Sequence, residues 1–306
     1  MTDGNSSTGG FATVALIGIG LIGSSISHAI RRRGLATRIT GHARTADTRE
    51  TALRLGLVDE AFATAAEAVT DADLVILCVP VGACGTVARE IGPRLKAGAV
   101  VTDVGSVKAS VVRDVAPHLP DTVSFVPGHP IAGTENSGPE AGFAELFDDR
   151  WCILTPTEQS PPEAVERLAK FWRDLGSEVE TMSPDHHDLV LAITSHLPHL
   201  IAFNIVNSAR HLERVTDTEV IKFSAGGFRD FTRIAASDPV MWRDVFLNNK
   251  EAVLEMLGRF SEDLTDLQRA IRFGDGEKLQ RLFTEARGVR KSIIDIGQDT
   301  AAPDFG

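Results

Sequence analysis

The sequence predicts an α/β fold in two parts: a doubly wound parallel sheet over residues 11–182, then an all-α domain over residues 183–306. Three observations predict it. A β-branched apolar run at residues 11–18 ends in glycine and is followed at once by a helical pattern over residues 21–33, closed by Gly34. Short apolar runs then alternate with helix-like segments, the pattern of a parallel sheet covered on both faces. From Ser183-Pro184 onward strand patterns cease and helical periodicity takes over. The first part is Rossmann-type by these signs, and residues 1–10, polar and rich in Gly, Ser and Thr, read as a flexible tail.

The first strand, turn and helix carry Gly18-Ile19-Gly20-Leu21-Ile22-Gly23, a G-x-G-x-x-G spacing in the context that gives it meaning. The first glycine makes the turn, the second admits a pyrophosphate, and the third lets helix and strand pack closely. A second strand at 38–41 leads to His42-Ala43-Arg44-Thr45, where an acid for the adenine ribose is normally found. The acid is missing, and Arg44 beside Thr45 suits a 2′-phosphate, which favours NADP over NAD. The alternative is a solvated Arg44, with Asp47 or a backbone group serving the ribose. A buried strand at 73–79 ends at Val79-Pro80, which completes the cofactor-facing edge. Further elements are a helix at 83–95, a strand at 98–103, a helix from Ser106 to 115, and a strand at 122–126 leading into His129. A strand at 151–155 follows, then a helix at 161–175 with Ser160 as cap and Pro161 as first residue, and a strand at 178–182 that closes the sheet. The helical part opens with a long pattern to about residue 211, kinked at Pro198. Residues 189–206 are apolar nearly all round and need a partner, so this domain is expected to form a homodimer.

Composition narrows the function. A net charge of −11 over 306 residues argues against nucleic-acid and anionic-membrane partners, so an anionic small-molecule substrate must be met locally. Three cysteines without C-x-x-C spacing indicate neither a disulfide framework nor a zinc site, and point to the reducing cytoplasm. There is no secretory signal pattern, and no apolar run approaches the roughly 18 residues of a spanning helix. The chain contains no tyrosine and 15 phenylalanines.

The chemistry centres on His129, set between Gly128 and Pro130 at a strand exit, where an imidazole suits proton transfer at neutral pH. Ser106 follows another strand; its hydroxyl either caps a helix or bonds His129 and fixes its tautomer. His196 and His199 share a helix face by their spacing of three, and no third ligand with a recognised spacing supports a metal. His186 and His187 read as solvated. Arg229 and Arg233 are candidates for holding a carboxylate, Arg233 lying deeper, between Phe231 and Ile234.

Several of these runs together resemble the prephenate/arogenate (cyclohexadienyl) dehydrogenases. They are the glycine-rich turn with Ser24-Ser25, Asp103-Val104-Gly105-Ser106-Val107-Lys108, His129-Pro130-Ile131-Ala132-Gly133-Thr134-Glu135, Ser195-His196-Leu197-Pro198-His199, and Gly227-Phe228-Arg229-Asp230-Phe231-Thr232-Arg233-Ile234-Ala235 with Trp242. The resemblance covers residues from about 12 to 295 and implies oxidative decarboxylation of prephenate or arogenate with hydride transfer to NAD or NADP. It implies His129 as proton acceptor, Ser106 as its partner, and Arg233 as carboxylate anchor. His199 or His196 becomes a further substrate contact, with Glu135, Asp230 and Trp242 lining the pocket. It leaves no region after about residue 295 for a regulatory ACT-type domain. It also offers one reading of the missing tyrosine, an enzyme still translated when tyrosine is scarce; compositional drift is the other. Two rivals stand beside it: a β-hydroxyacid-type dehydrogenase using Lys250, and a non-catalytic NAD(P)-binding sensor.

Overall fold

The computed structural model describes residues 10–134, 136–212, 222 and 224–295. They fall into two compact units divided between Val253 and Leu254.

In the first unit β1 (Thr13–Ile17), β2 (Arg38–His42), β3 (Glu60–Phe62), β4 (Leu74–Leu77), β5 (Val100–Asp103) and β6 (Ser124–Phe125) form one parallel sheet in the order β3-β2-β1-β4-β5-β6. Helices α2 (Ala46–Arg54) and α3 (Ala65–Ala68) follow β2 and β3, and side-chain alternation along the central strands builds two cores. Val14, Leu16, Leu74 and Ile76 pack with Ile26 and Ile30 of α1 (Leu21–Arg33) and with Leu168 and Trp172 of α6 (Pro162–Asp174). Ala15, Ile17, Val75 and Leu77 face the other way, onto Ala88 of α4 (Cys84–Ile91) and Val111 of α5 (Ala109–Val115). Strand order reverses between β1 and β4, the place where open sheets of this kind bind ligands beyond their carboxyl ends.

Four expectations are corrected. The sheet does not close at 178–182: β7 (Gly128–Pro130), β8 (Trp151–Leu154) and β9 (Glu178–Thr181) form a separate three-stranded sheet, β7 antiparallel and β9 parallel to β8. The break is at Pro127. Val126 still donates to the Val101 carbonyl at 2.9 Å, whereas Pro127 has no N–H to continue that ladder, and its carbonyl accepts from Thr155 instead. Second, α5 begins at Ala109 rather than at Ser106, because its first amides are capped from a distance by Asp188, which accepts from Lys108 N at 2.7 Å and Ala109 N at 2.9 Å. Third, Ser160 does not cap α6: its hydroxyl donates to the Phe125 carbonyl at 2.7 Å, and Pro161 holds the cap position.

Fourth, what interrupts the long helix is a widened turn ahead of Pro198. The helix comprises α7 (Pro184–Leu191), a π-turn at Ala192–His196, and α8 (Leu197–Leu212). Pro198 lacks an N–H and its ring crowds the carbonyl four residues back, which a wider turn relieves. Within Pro184–Ala209 the most apolar 18-residue window has a mean hydropathy of 1.7, and by length and composition alone this helix could cross a membrane, contrary to the sequence expectation. It is nevertheless tied into the first unit by the buried polar residues His187, Asp188 and His196, while Leu189, Ile193, Ile205 and Val206 remain exposed.

The helix Lys250–Phe273 begins in the first unit, and its remainder in the second turns at Gly274, φ +69°, into the helix Gly276–Asp295. Lys278 and Asp266 bridge the two at 2.6 Å, and Ile271, Phe273, Phe283 and Val289 are exposed.

The glycines of the first turn separate packing from approach. A Cβ at Gly23 would overlap the Gly18 carbonyl oxygen, whereas one at Gly20 meets nothing within 4 Å. Gly23→Ala is therefore expected to destabilise the protein by about 1–3 kcal/mol in urea titrations, and Gly20→Ala by less than about 0.5 kcal/mol. Equal losses would contradict this packing.

Candidate active site

The candidate cofactor cradle follows directly from the end of β1. Gly18 turns the chain at φ +105°, a value that favours glycine, directly against the Cys78 carbonyl. Gly20 is the N-cap of the 13-residue α1 and supplies no side-chain cap, so the first amides of Leu21, Ile22 and Gly23 meet no capping side chain. Open space at Gly20 beside the positive end of a long helix fits a pyrophosphate. Ile19 is buried against Gly41 and fixes the turn, and Val79 and Pro80 leave β4 beside Gly18. At the end of β2, Ala43 is buried where an acid would stand, and Arg44 is exposed. Thr45 caps the helix Ala46–Arg54, and Arg49 donates to the carbonyls of Ala43 at 2.7 Å and Arg44 at 3.3 Å. Two guanidinium groups thus flank this loop.

The surroundings of His129 are built on a buried ion pair. Asp103 ends β5, and Lys108, fully buried, pairs with it and donates to the Gly128 carbonyl at 2.6 Å. Asp103 also accepts from Gly105 N at 2.8 Å and from Gly128 N at 3.3 Å. The first residue of β7 is therefore fastened through both its amide and its carbonyl, and His129 is the next residue.

His129 is buried, and its Nδ1 lies 2.8 Å from Nε2 of His187. His187 in turn places Nδ1 2.8 Å from the Asp188 carboxylate. This overturns two expectations. His187 is not solvated but fully buried, because its helix packs its first turn against α5; and the Nδ1 of His129 is bonded to His187 rather than to Ser106, whose hydroxyl makes no bond to it. The Ser106 backbone lies against His196 instead. Burial, then the neighbouring His187, Lys108 and His196, holds His129 well below the usual histidine range. Burial likewise lowers His187, against the opposing pull of Asp188. His129 Nε2 forms no hydrogen bond among the described residues, so the ring presents a neutral acceptor.

His196 is fully buried. Its Nδ1 meets the Asn249 amide at 3.0 Å, and that amide also donates to the Asp188 carbonyl at 2.8 Å. Burial pushes His196 down to about 4. His199 is only half-buried: its Nδ1 bonds the Ser195 carbonyl at 2.9 Å, and its ring stacks on Trp242 with centroids 3.7 Å apart. Burial also lowers His199, and the charge of Arg233 acts in the same direction, so Arg233 lies by this pair. Arg233 is exposed rather than deep, in a 3-10 turn (Arg233–Ala236) beyond the end of the helix Gly226–Thr232. Asp230 is exposed and sits 3.7 Å from Arg229. Glu135 lies outside the described residues. Lys250 is exposed at a helix start, directly after the buried Asn249.

Sequence reasoning missed Asp103, Lys108, His187, Asp188 and Asn249. A trace of the first two was present, since Asp103 and Lys108 bracket Gly105-Ser106 with opposite charges at the exit of an apolar strand. The other three are brought in by long-range packing.

Burying neutral histidines ties stability to pH. Below 6.5 the unfolded chain protonates His196 while the folded one resists until about 4, so stability is full above 6.5 and is lost as pH falls through that window. His196 alone is expected to remove roughly 3 kcal/mol by pH 4. Urea midpoints at pH 7 and pH 4 should therefore differ more for the unaltered protein than for His196→Gln; equal differences would show that His196 is not buried neutral.

Comparison with known proteins identifies relatives along nearly the whole chain. Residues 26–181 match the family model of the prephenate dehydrogenase nucleotide-binding domain, and residues 183–285 that of the prephenate dehydrogenase dimerization domain. A cyclohexadienyl dehydrogenase of Zymomonas mobilis is 42% identical over 283 residues, covering 92% of this chain and 96% of its own length. A prephenate dehydrogenase of Bacillus subtilis is 35% identical, covering 96% and 79%. Among solved structures, prephenate dehydrogenase from A. aeolicus, in complex with hydroxyphenyl propionate and NAD+, superposes with a TM-score of 0.86 at 37% identity, covering 92% of this chain and 98% of that one. With both domain models matched in sequence order and relatives of this identity along nearly its whole length, the chain belongs to the prephenate dehydrogenase family.

Proposed function

We propose that this enzyme oxidatively decarboxylates prephenate, arogenate or both, giving 4-hydroxyphenylpyruvate or tyrosine in tyrosine biosynthesis, with residues 11–182 holding the cofactor and residues 183–306 serving substrate and dimer contacts. The observation that carries the reading is His129, neutral and buried, with a free Nε2 one residue beyond the backbone fastened by Lys108. The bound nicotinamide dinucleotide supplies the hydride acceptor. His129 Nε2 takes the proton of the C4 hydroxyl as C4 becomes a carbonyl carbon. Loss of CO₂ from C1 then sends its electron pair into the ring, which becomes aromatic, and the oxygen recovers its proton from His129. The reaction is balanced without any net proton, so a single histidine suffices.

Arg233, beside the stacked His199 and Trp242, is the anchor for a substrate carboxylate, the local cation that an acidic protein needs. The half-buried His199 faces the substrate in this reading, and His196, fully buried on Asn249, supports the wall behind it. Ser106, Asp230 and Glu135 complete the proposed site. NADP is the proposed cofactor, because Arg44 and Arg49 flank the loop where Ala43 replaces an acid. The apolar residues left exposed along Pro184–Ala209 support a homodimer, and the unpaired Cys78, Cys84 and Cys152 suit the cytoplasm.

Turnover with each of four pairs, prephenate or arogenate with NAD or NADP, tests the reaction; silence in all four ends it. His129→Asn is expected to lower kcat by about 10²–10⁴-fold while cofactor affinity holds. Because burial keeps His129 deprotonated, the acidic limb of kcat against pH should lie below 6.5, and a limb above it would contradict the assignment. Arg44→Ala should raise KM for NADP by about 10-fold or more and leave NAD nearly unchanged; equal effects on both would remove the 2′-phosphate role.

A further inference from the structure

His187 and Asp188 form the buried titratable pair to which the proposed reaction gives no task. Both lie at the start of α7, and both touch groups from other elements: His187 touches His129 of β7, and Asp188 touches the first amides of α5. We infer that His187, held by Asp188, is a positioning residue that fixes His129 with its proton on Nδ1 and its lone pair on Nε2. This rests on the reading of His129 as the proton acceptor.

The inference follows from donor and acceptor bookkeeping along one chain of atoms. The Asp188 carboxylate accepts from two backbone amides at 2.7 and 2.9 Å, one on each oxygen, so both oxygens act as acceptors. Its contact at 2.8 Å with His187 Nδ1 therefore requires the proton on that nitrogen. A neutral His187 then has only a lone pair on Nε2, so the contact at 2.8 Å with His129 Nδ1 requires His129 to be the donor. With its one proton spent on Nδ1, a neutral His129 must carry the lone pair on Nε2, the nitrogen left for substrate. Any other tautomer of either ring would set two lone pairs or two protons face to face in a buried site. The same chain serves the moment of reaction. When His129 gains a proton the neighbouring His187, Lys108 and His196 oppose the new charge, while Nδ1–H still donates to His187 Nε2 and His187 Nδ1–H to the Asp188 carboxylate.

The test uses full-length protein labelled with ¹⁵N in histidine. In the multiple-bond ¹H–¹⁵N spectrum at pH 8, the signals removed by His129→Asn and by His187→Leu assign the two rings, and both are expected with a protonated Nδ1 and a bare Nε2. The opposite tautomer at His129 overturns the inference. In kinetics, His187→Leu should lower kcat about 100-fold with KM and cofactor affinity within about 2-fold, and should cost nothing further in a His129→Asn background. His187→Gln, whose amide oxygen can accept from Nδ1–H, should recover most of the rate. A loss carried by KM, or one that adds fully to that of His129→Asn, overturns the role. If His187→Leu does not fold, His187→Gln and the spectrum of the unaltered protein decide. No turnover by the unaltered protein with any substrate pair would instead fail the proposed reaction, while the spectrum would still decide the tautomer.

Discussion

The ion pair of Asp103 and Lys108 is the joint on which the rest of the site hangs. Burying either ion alone costs several kcal/mol, and the attraction between them offsets this only where the remaining donors and acceptors are also met. Here they are: Asp103 takes the amides of Gly105 and Gly128, and Lys108 takes the Gly128 carbonyl. Such a pair adds little net stability over a well-packed apolar pair; what it adds is position. It ties the last residue of β5 to the first residue of β7 across the gap that Pro127 opens between the two sheets. The cation also stands near enough to His129 to disfavour a second positive charge there.

Much of the fold was legible because it depends on local rules. The glycine spacing, the strand runs and the switch to helix at residue 183 each follow from periodicity or from a conformation that few residues adopt. What was not legible depends on pairing at a distance. That 178–181 joins a second sheet follows from a missing amide at Pro127, more than fifty residues earlier. That Asp188 caps α5 across 80 residues leaves no local sign, and it explains why Ser106 looked like the cap.

The site divides in the same way. His129, His196 and His199 stood out by their neighbours in sequence, and the fold does gather them around one region. His187 looked solvated because the first turn of a helix usually is, yet α7 begins where it must pack on α5, and the ring is sealed. Arg233 misled in the opposite direction. Its apolar sequence neighbours suggested depth, but Phe231 is itself exposed and the helix ends before Arg233, so the guanidinium remains at the surface. An exposed cation beside a half-buried histidine suits capture of an anion from solution better than a sealed one would.

The π-turn at Ala192–His196 has a geometric consequence for the helix that contains it. In an uninterrupted α-helix, residues nine apart, such as His187 and His196, point in nearly opposite directions, since each residue advances about 100°. One side chain could then reach His129 only if the other looked away from Asn249. A wider turn advances less per residue and winds the second half back, so the two rings no longer point in opposite directions. The proline that a soluble helix would ordinarily avoid thus acts as a rotational spacer, setting the angle between two halves of one helix in the way a hinge pin sets the angle of two leaves.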